Sequence, residues 1–150
     1  MTPQRVLFVC TGNSCRSPMA ELYLRELCRR AGRGDIVVGS AGISAFPGVR
    51  LSKGAAAVLE SLGIDGTAFR SRPFTAELAG NYDLIVAMSS GHRRAVEAIA
   101  PEAAAKCRLL LGDGGDVPDP YGGDLVVYQR VFKAMKGALD ELAAEVIGLC

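Results

Sequence analysis

The alternation of short apolar runs with amphipathic stretches constrains this chain more than any other feature. Arg5-Val-Leu-Phe-Val9 is a continuous, β-branched run that reads as a buried strand. The stretch after it carries Ala20, Leu24, Leu27 and Ala31 on one stripe, with Glu21, Arg25 and Arg29 on another at i, i+4 spacing. Ser17 as N-cap and Pro18 at the first helical position are predicted to open that helix, and Gly32 and Gly34 to end it. Further strands are expected at Asp35–Val38, Tyr82–Met88 and Lys106–Leu111, with helices over Ser52–Leu62 and about Gly91–Ile99. Gly112–Gly123, with five glycines and two prolines, reads as loop. In the last helix Tyr128, Val131, Phe132, Met135, Leu139, Leu142 and Val146 recur at helical period.

Four strands each followed by a helix require right-handed crossovers, and therefore a parallel sheet covered on both faces. The expected fold is α/β: a three-layer sandwich with a four-stranded parallel sheet, one domain over residues 1–150. The length of 150 residues suits one domain, and 49% hydrophobic content supplies its core. Seventeen Lys and Arg against 16 Asp and Glu leave a net charge of +1, without the basic excess that nucleic acid or an anionic membrane demands. No apolar run is long enough to span a bilayer, and no leader pattern opens the chain. The expectation is a cytoplasmic monomer that binds neither nucleic acid nor membrane.

The five cysteines are Cys10, Cys15, Cys28, Cys107 and Cys150. An odd count without a secretion signal makes a poor disulfide framework, and a single histidine with no CxxC pair speaks against zinc. Cys28, Cys107 and Cys150 read as small buried hydrophobes.

In a parallel sheet, ligands bind beyond the carboxyl ends of the strands. There the first strand runs into Cys10-Thr-Gly-Asn-Ser-Cys-Arg16-Ser17-Pro18, a loop that leads into a helix N-terminus and so forms an anion cradle. It lacks the Gly-Lys-Ser/Thr of nucleotide-hydrolase loops. Gly12 and Asn13 tolerate the left-handed backbone that wrapping a phosphate requires. Ser17 can donate a hydrogen bond to a Cys10 thiolate, and the helix dipole favours negative charge at the same point. Arg16 offers a rigid fork of donors that matches two phosphoryl oxygens. A leaving group needs an acid, and Asp119 in Pro118-Asp-Pro-Tyr121 lies in the loop after the fourth strand, on the same sheet edge.

These residues resemble a known family. Val9-Cys-Thr-Gly-Asn-Ser-Cys-Arg-Ser-Pro-Met-Ala-Glu21 is similar to the signature of the low-molecular-weight protein tyrosine phosphatases. The Ser40-Ala41-Gly42 turn, Asp83–Met88 and Asp119-Pro-Tyr-Gly-Gly123 follow in that family's order. The resemblance implies that Cys10 attacks phosphorus to give a phosphocysteine while Arg16 holds the equatorial oxygens. It implies that Asp119 protonates the leaving atom and then activates water, acting on phosphorylated protein substrates. Asn13 and Ser40 would hold the loop, Ser17 would stabilise the thiolate, and Thr11, Gly12, Ser14, Cys15 and Tyr121 would complete the substrate site. No metal or other cofactor is implied, because loop amides and Arg16 carry the charge. Cys15 could form a reversible disulfide with Cys10 under oxidation, or simply pack in the loop.

One position departs from the family: a histidine usually precedes the segment matching Arg72–Thr75, and here Phe69 stands in its place, so a hydrogen bond supporting the loop is expected to be missing. His92 reads as a surface residue. Two substrates compete. Tyrosine-directed members commonly carry isoleucine where this chain has Ser14, whereas the arginine-directed branch carries a small hydroxyl residue there and an aromatic with Gly-Gly after its Asp-Pro. A compact Ser14 leaves room for a planar guanidinium, so phosphoarginine is favoured; Tyr121 and Phe46 could instead wall a phosphotyrosine ring. Arsenate reductases share the fold and loop but need a downstream cysteine pair, and Met88–Ile99 contains none. A non-catalytic phosphate-binding module would not need both a thiol and a placed acid.

Overall fold

The computed structural model describes residues 2–148. Its elements run β1 (Arg5–Cys10), α1 (Arg16–Arg30), β2 (Val37–Gly42), α2 (Lys53–Ser61), α3 (Ala76–Ala79), β3 (Leu84–Ala87), α4 (Ser90–Ile99), β4 (Cys107–Leu109) and α5 (Leu125–Ile147), with short 3-10 turns at Pro101–Lys106 and Gly112–Gly114. The four strands pair in the order β2-β1-β3-β4, all parallel. The expected α/β three-layer sandwich is the fold observed. Cys150, expected to be a buried thiol, lies outside the described residues.

The continuous apolar run of β1 follows from burial on both sides. Val6 and Phe8 pack with α1, α2 and α5, against Met19, Leu24, Leu59, Met135 and Leu139. Leu7 and Val9 point the other way, into a second cluster with Ile85, Ala87, Ala79 and Val96. Because β1 is central, the chain leaves it through α1 to one side and returns through α3 to β3 on the other. That reversal opens a crevice at the carboxyl ends of β1 and β3, where a doubly wound sheet holds its ligand.

Two boundaries differ from expectation for physical reasons. β2 is displaced toward its carboxyl end, and Ser40-Ala41-Gly42, expected as a turn, is paired strand opposite Phe8, Val9 and Cys10. The small residues of that stretch answer to packing rather than to turn geometry. A Cβ on Gly39 would lie 2.4 Å from the Tyr82 hydroxyl, and one on Gly42 would lie 2.5 Å from the Thr11 carbonyl oxygen. Likewise α1 begins at Arg16, with Cys15 as its N-cap and no capping side chain. Ser17 is therefore inside the first turn rather than at the N-cap, and its hydroxyl is spent elsewhere. Pro18 still costs nothing, since first-turn amides have no intrahelical acceptor. Ser52, Ser89 and Asp124 cap α2, α4 and α5 through their side chains.

Candidate active site

Residues 10–16 leave the end of β1 and wrap into the start of α1. Asn13 makes the turn with φ of +54°, the sole non-glycine residue with positive φ among those described; Gly12 does not use the left-handed region. The first-turn amides of α1 have no intrahelical acceptor and are available to an anion at the end of this loop.

Asn13 is fully buried, and its side chain holds the loop from behind. The backbone N–H of Arg72 donates to its Oδ1 at 3.0 Å, which fixes the orientation of the amide. Nδ2 is then free to donate to Ser17 Oγ at 2.9 Å and to Ser40 Oγ at 2.8 Å. Ser40 Oγ donates in turn to Glu21 Oε1 at 2.6 Å. Ser17 Oγ, already an acceptor from Asn13, lies 2.8 Å from Cys10 Sγ with its proton still available, so it is placed to donate to a thiolate there. The network diverges from the Asn13 amide, one branch running through Ser17 to the sulfur and the other through Ser40 to the Glu21 carboxylate.

Glu21 had read as part of a polar stripe on α1; it is buried beneath the loop and paired with Arg25, whose Nη2 also donates to the Val38 carbonyl at 2.6 Å. Arg72 stitches the same region, donating from Nε to the Ser40 carbonyl at 3.0 Å and from Nη2 to Tyr82 Oη at 2.9 Å. Phe69, in the place expected of a histidine, is buried in the apolar core. The anticipated gap is absent, because Glu21 and the Arg72 backbone already satisfy Ser40 and Asn13. Among the described residues no buried side-chain nitrogen or oxygen lacks a partner.

In front of the loop lies a cleft of about 250 Å³ lined by Cys10, Thr11, Gly12, Ser14, Cys15, Arg16, Asp119 and Tyr121. Asn13, Ser17 and Ser40 are not among its lining residues; they sit behind it. Arg16 is buried, and its Nη1 donates to the Val117 carbonyl at 3.0 Å while Nη2 lies 3.7 Å from Asp119 Oδ2. Val117 is itself anchored, since its N–H donates to the Met88 carbonyl at the end of β3. The guanidinium therefore ties the long 110–124 loop to the anion cradle and brings Asp119 to the mouth of the cleft. The Asp119 carboxylate stays half-exposed there, accepting from the Tyr121 N–H at 3.0 Å. Tyr121 and Phe46 are both strongly exposed, but Phe46 does not line the cleft.

Cys15 faces away from solvent, with its sulfur 3.3 Å from both Ser52 Oγ and Tyr128 Oη. Cys28 and Cys107 are buried as expected, and burial pushes both thiols up, Cys107 to about 11. His92 corrects an expectation: it is not on the surface but buried at the first turn of α4, with Nε2 2.7 Å from Thr11 Oγ1. Glu21, Arg72 and His92 are thus the residues of this site that sequence reasoning missed. The run of small residues at 39–42 was the one available signal that something bulky packs against β2.

The chain matches the family model described as low molecular weight phosphotyrosine protein phosphatase over residues 5–147. It is 38% identical over 145 residues to the protein-arginine-phosphatase of Geobacillus stearothermophilus, covering 94% of this chain and 95% of that protein. It is also 38% identical over 141 residues to the low molecular weight protein-tyrosine-phosphatase Etp of Escherichia coli K12, covering 92% and 91%. A solved structure of the tyrosine phosphatase Wzb from Escherichia coli K30 in complex with sulphate superposes with a TM-score of 0.88 at 32% identity, covering 97% of this chain and 99% of that one.

Proposed function

The chain belongs to the low molecular weight phosphotyrosine protein phosphatase family and is a hydrolase of phosphorylated protein, and from that premise we propose that it works through a phosphocysteine at Cys10, with phosphoarginine as the preferred substrate. The observation that carries the mechanism is the contact of Cys10 Sγ with Ser17 Oγ at 2.8 Å at the floor of a cleft whose walls include Arg16 and Asp119. The thiolate is the nucleophile, and the Ser17 hydroxyl lies in hydrogen-bond contact with the sulfur that attacks.

Sulfur attacks phosphorus in line with the leaving atom, and the S–P bond forms as the bond to the protein side chain breaks. Negative charge on the equatorial oxygens meets loop N–H groups and the fork of Arg16. Asp119 gives its proton to the departing nitrogen or oxygen, then takes one from the water that attacks the phosphocysteine. Hydrolysis returns inorganic phosphate and the thiolate. No step needs a metal ion or other cofactor, because fixed donors neutralise the charge.

Ser14 supports the guanidinium reading. It lines the cleft with a short polar side chain, which leaves width for a planar group and offers a hydrogen-bond partner. Asp119 protonates the departing guanidino nitrogen and, as the carboxylate that transfer leaves, faces the guanidinium released. Phosphotyrosine is the second reading, favoured by the exposed Tyr121 ring at the cleft mouth.

The test is phosphate release from a phosphoarginine peptide and a phosphotyrosine peptide side by side, with Cys10→Ser as the blank. A kcat/KM ratio well above about tenfold toward phosphoarginine is expected. A preference for phosphotyrosine would leave the Cys10 mechanism in place and reverse the substrate assignment. Turnover surviving in Cys10→Ser would overturn the mechanism itself.

A further inference from the structure

His92 has no part in the mechanism above, yet it is buried against the phosphate loop and bonded on both ring nitrogens. Nδ1 lies 2.8 Å from Ser89 Oγ, and Nε2 lies 2.7 Å from Thr11 Oγ1. Thr11 Oγ1 is in turn 3.5 Å from Nη2 of Arg16, the same nitrogen that faces Asp119. Ser89, His92, Thr11 and Arg16 therefore form a chain from the start of α4 to the guanidinium in the cleft. Resting on the reading of Cys10 and Arg16 given above, we propose that His92 is a positioning residue for the phosphoryl-transfer step. In this assignment a neutral imidazole protonated on Nε2 holds the Thr11 hydroxyl as an acceptor for Arg16.

Donor accounting together with exposure selects that tautomer. Ser89 Oγ already accepts the backbone N–H of His92 as the N-cap of α4, at 3.2 Å. Its own proton is best used toward Nδ1, which makes Nδ1 the acceptor and leaves the ring proton on Nε2. Nε2–H then donates to Thr11 Oγ1, whose second lone pair faces Arg16. Each tautomer leaves one hydroxyl proton without a partner in the protein, that of Ser89 if Nδ1 is protonated and that of Thr11 if Nε2 is; Thr11 is the more exposed and lines the cleft, so its proton is the one free to meet a bound phosphoryl oxygen. The charged groups facing the ring are Arg16 on α1 and Asp116 and Asp119 on the 110–124 loop. The neighbouring guanidinium and the burial of the ring both favour the neutral form. The consequence for catalysis is geometric. Val117 holds Nη1 of Arg16, and Thr11 holds Nη2, so the plane of the fork is set before substrate arrives.

The experiment uses the full chain with an aryl phosphate as substrate and inorganic phosphate as competing ligand. His92→Leu and Thr11→Val are each expected to lower kcat/KM about ten- to a hundredfold, the range for a hydrogen bond to a charged group, and to weaken phosphate inhibition in parallel. Because His92 acts through Thr11, the double variant should be no slower than the slower single one. His92→Gln, whose amide reaches the position of Nε2, should recover most of the loss. Nitrogen NMR of the unmodified protein at neutral pH should show Nε2 protonated and Nδ1 bare. A bare Nε2, a Thr11→Val variant with unchanged kinetics, or fully multiplicative losses in the double variant would each overturn the proposal. The NMR and Thr11→Val arms stand even if His92→Leu does not fold. Turnover in Cys10→Ser would instead strike the underlying mechanism, so the two failures are separable.

Discussion

The sulfur of Cys10 and the hydroxyl oxygen of Ser17 lie 2.8 Å apart, both buried, at the junction of the central strand and the first helix. Ser17 receives a hydrogen bond from Asn13 and keeps its own proton, which is what a thiolate sulfur at that distance would accept. This pairing puts a hydroxyl on the proposed nucleophile from inside a helix turn, where backbone geometry holds it in place. Ser17→Ala should slow alkylation of Cys10 by iodoacetamide at neutral pH and lower kcat/KM about tenfold or more, with a smaller effect on stability. Equal alkylation rates in the two proteins would show that Ser17 does not stabilise the thiolate.

Glu21 is the far anchor of the same network. Removing its carboxylate leaves the Ser40 hydroxyl without an acceptor in a buried place. Glu21→Ala should cost about 1–3 kcal/mol in a urea titration, and the loosened loop should lower kcat as well. Glu21→Gln, which keeps an acceptor for Ser40, should be milder on both counts.

Phe69 is part of the core, so placing a histidine there buries a polar ring with no vacancy to fill. Phe69→His is expected to destabilise by about 1–3 kcal/mol and to leave kcat/KM no higher than before. An increase in activity would mean that the loop network is incomplete without it.

Ser14→Ile narrows the cleft and replaces a hydroxyl by a branched apolar surface. The ratio of kcat/KM for phosphoarginine over phosphotyrosine should fall by about tenfold or more, measured on paired peptides. A ratio that does not move would remove Ser14 from the specificity argument while leaving Cys10 chemistry untouched.

Burial, with Arg16 nearby, holds His92 down at about 4 from an ordinary 6.5. The unfolded chain takes up a proton below 6.5, whereas the folded one does so only below about 4. Stability is therefore full above pH 6.5 and declines as pH falls through that window, by about 3 kcal/mol at its end. Urea midpoints between pH 4 and 7 should show this slope in the parent and a flatter one in His92→Gln. Matching slopes would place the pH dependence on other groups.

The apolar runs and helical stripes made the layers legible, because strand and helix impose periods of 2 and 3.6 on any chain that buries one face. Val6, Leu7, Phe8 and Val9 announce a strand covered on both sides, and the helix from Leu125 onward announces the face it buries. The cradle of Cys10 and Arg16 was legible for a related reason: the loop after a central strand and its helix N-terminus form one local unit, and local spacing is written along the chain, whereas Asp119 reaches it only through the Arg16–Val117 contact. Boundaries were less so. Gly39–Gly42 carries little strand propensity, and only the approach of Tyr82, Arg72 and the Thr11 backbone explains why those residues are small.

The support of the site belonged to tertiary structure. Glu21 looks like any solvent-facing residue of an amphipathic helix, and His92 like any lone histidine, until β2 and α4 are brought against the loop. Asn13 bonds Ser40 across 27 positions, Arg16 reaches Val117 across 101, and Thr11 meets His92 across 81. Hydrogen bonds of that span leave no period or spacing in the chain, since either partner is free to face water until the sheet closes. Sequence by itself determined the layered fold and the loop that carries Cys10 and Arg16 at the end of the central strand, because local geometry suffices for both. Which polar groups are buried, and what turns each of them toward the thiol or the guanidinium, was decided only when distant strands and helices packed and buried hydrogen-bonding groups had to find partners.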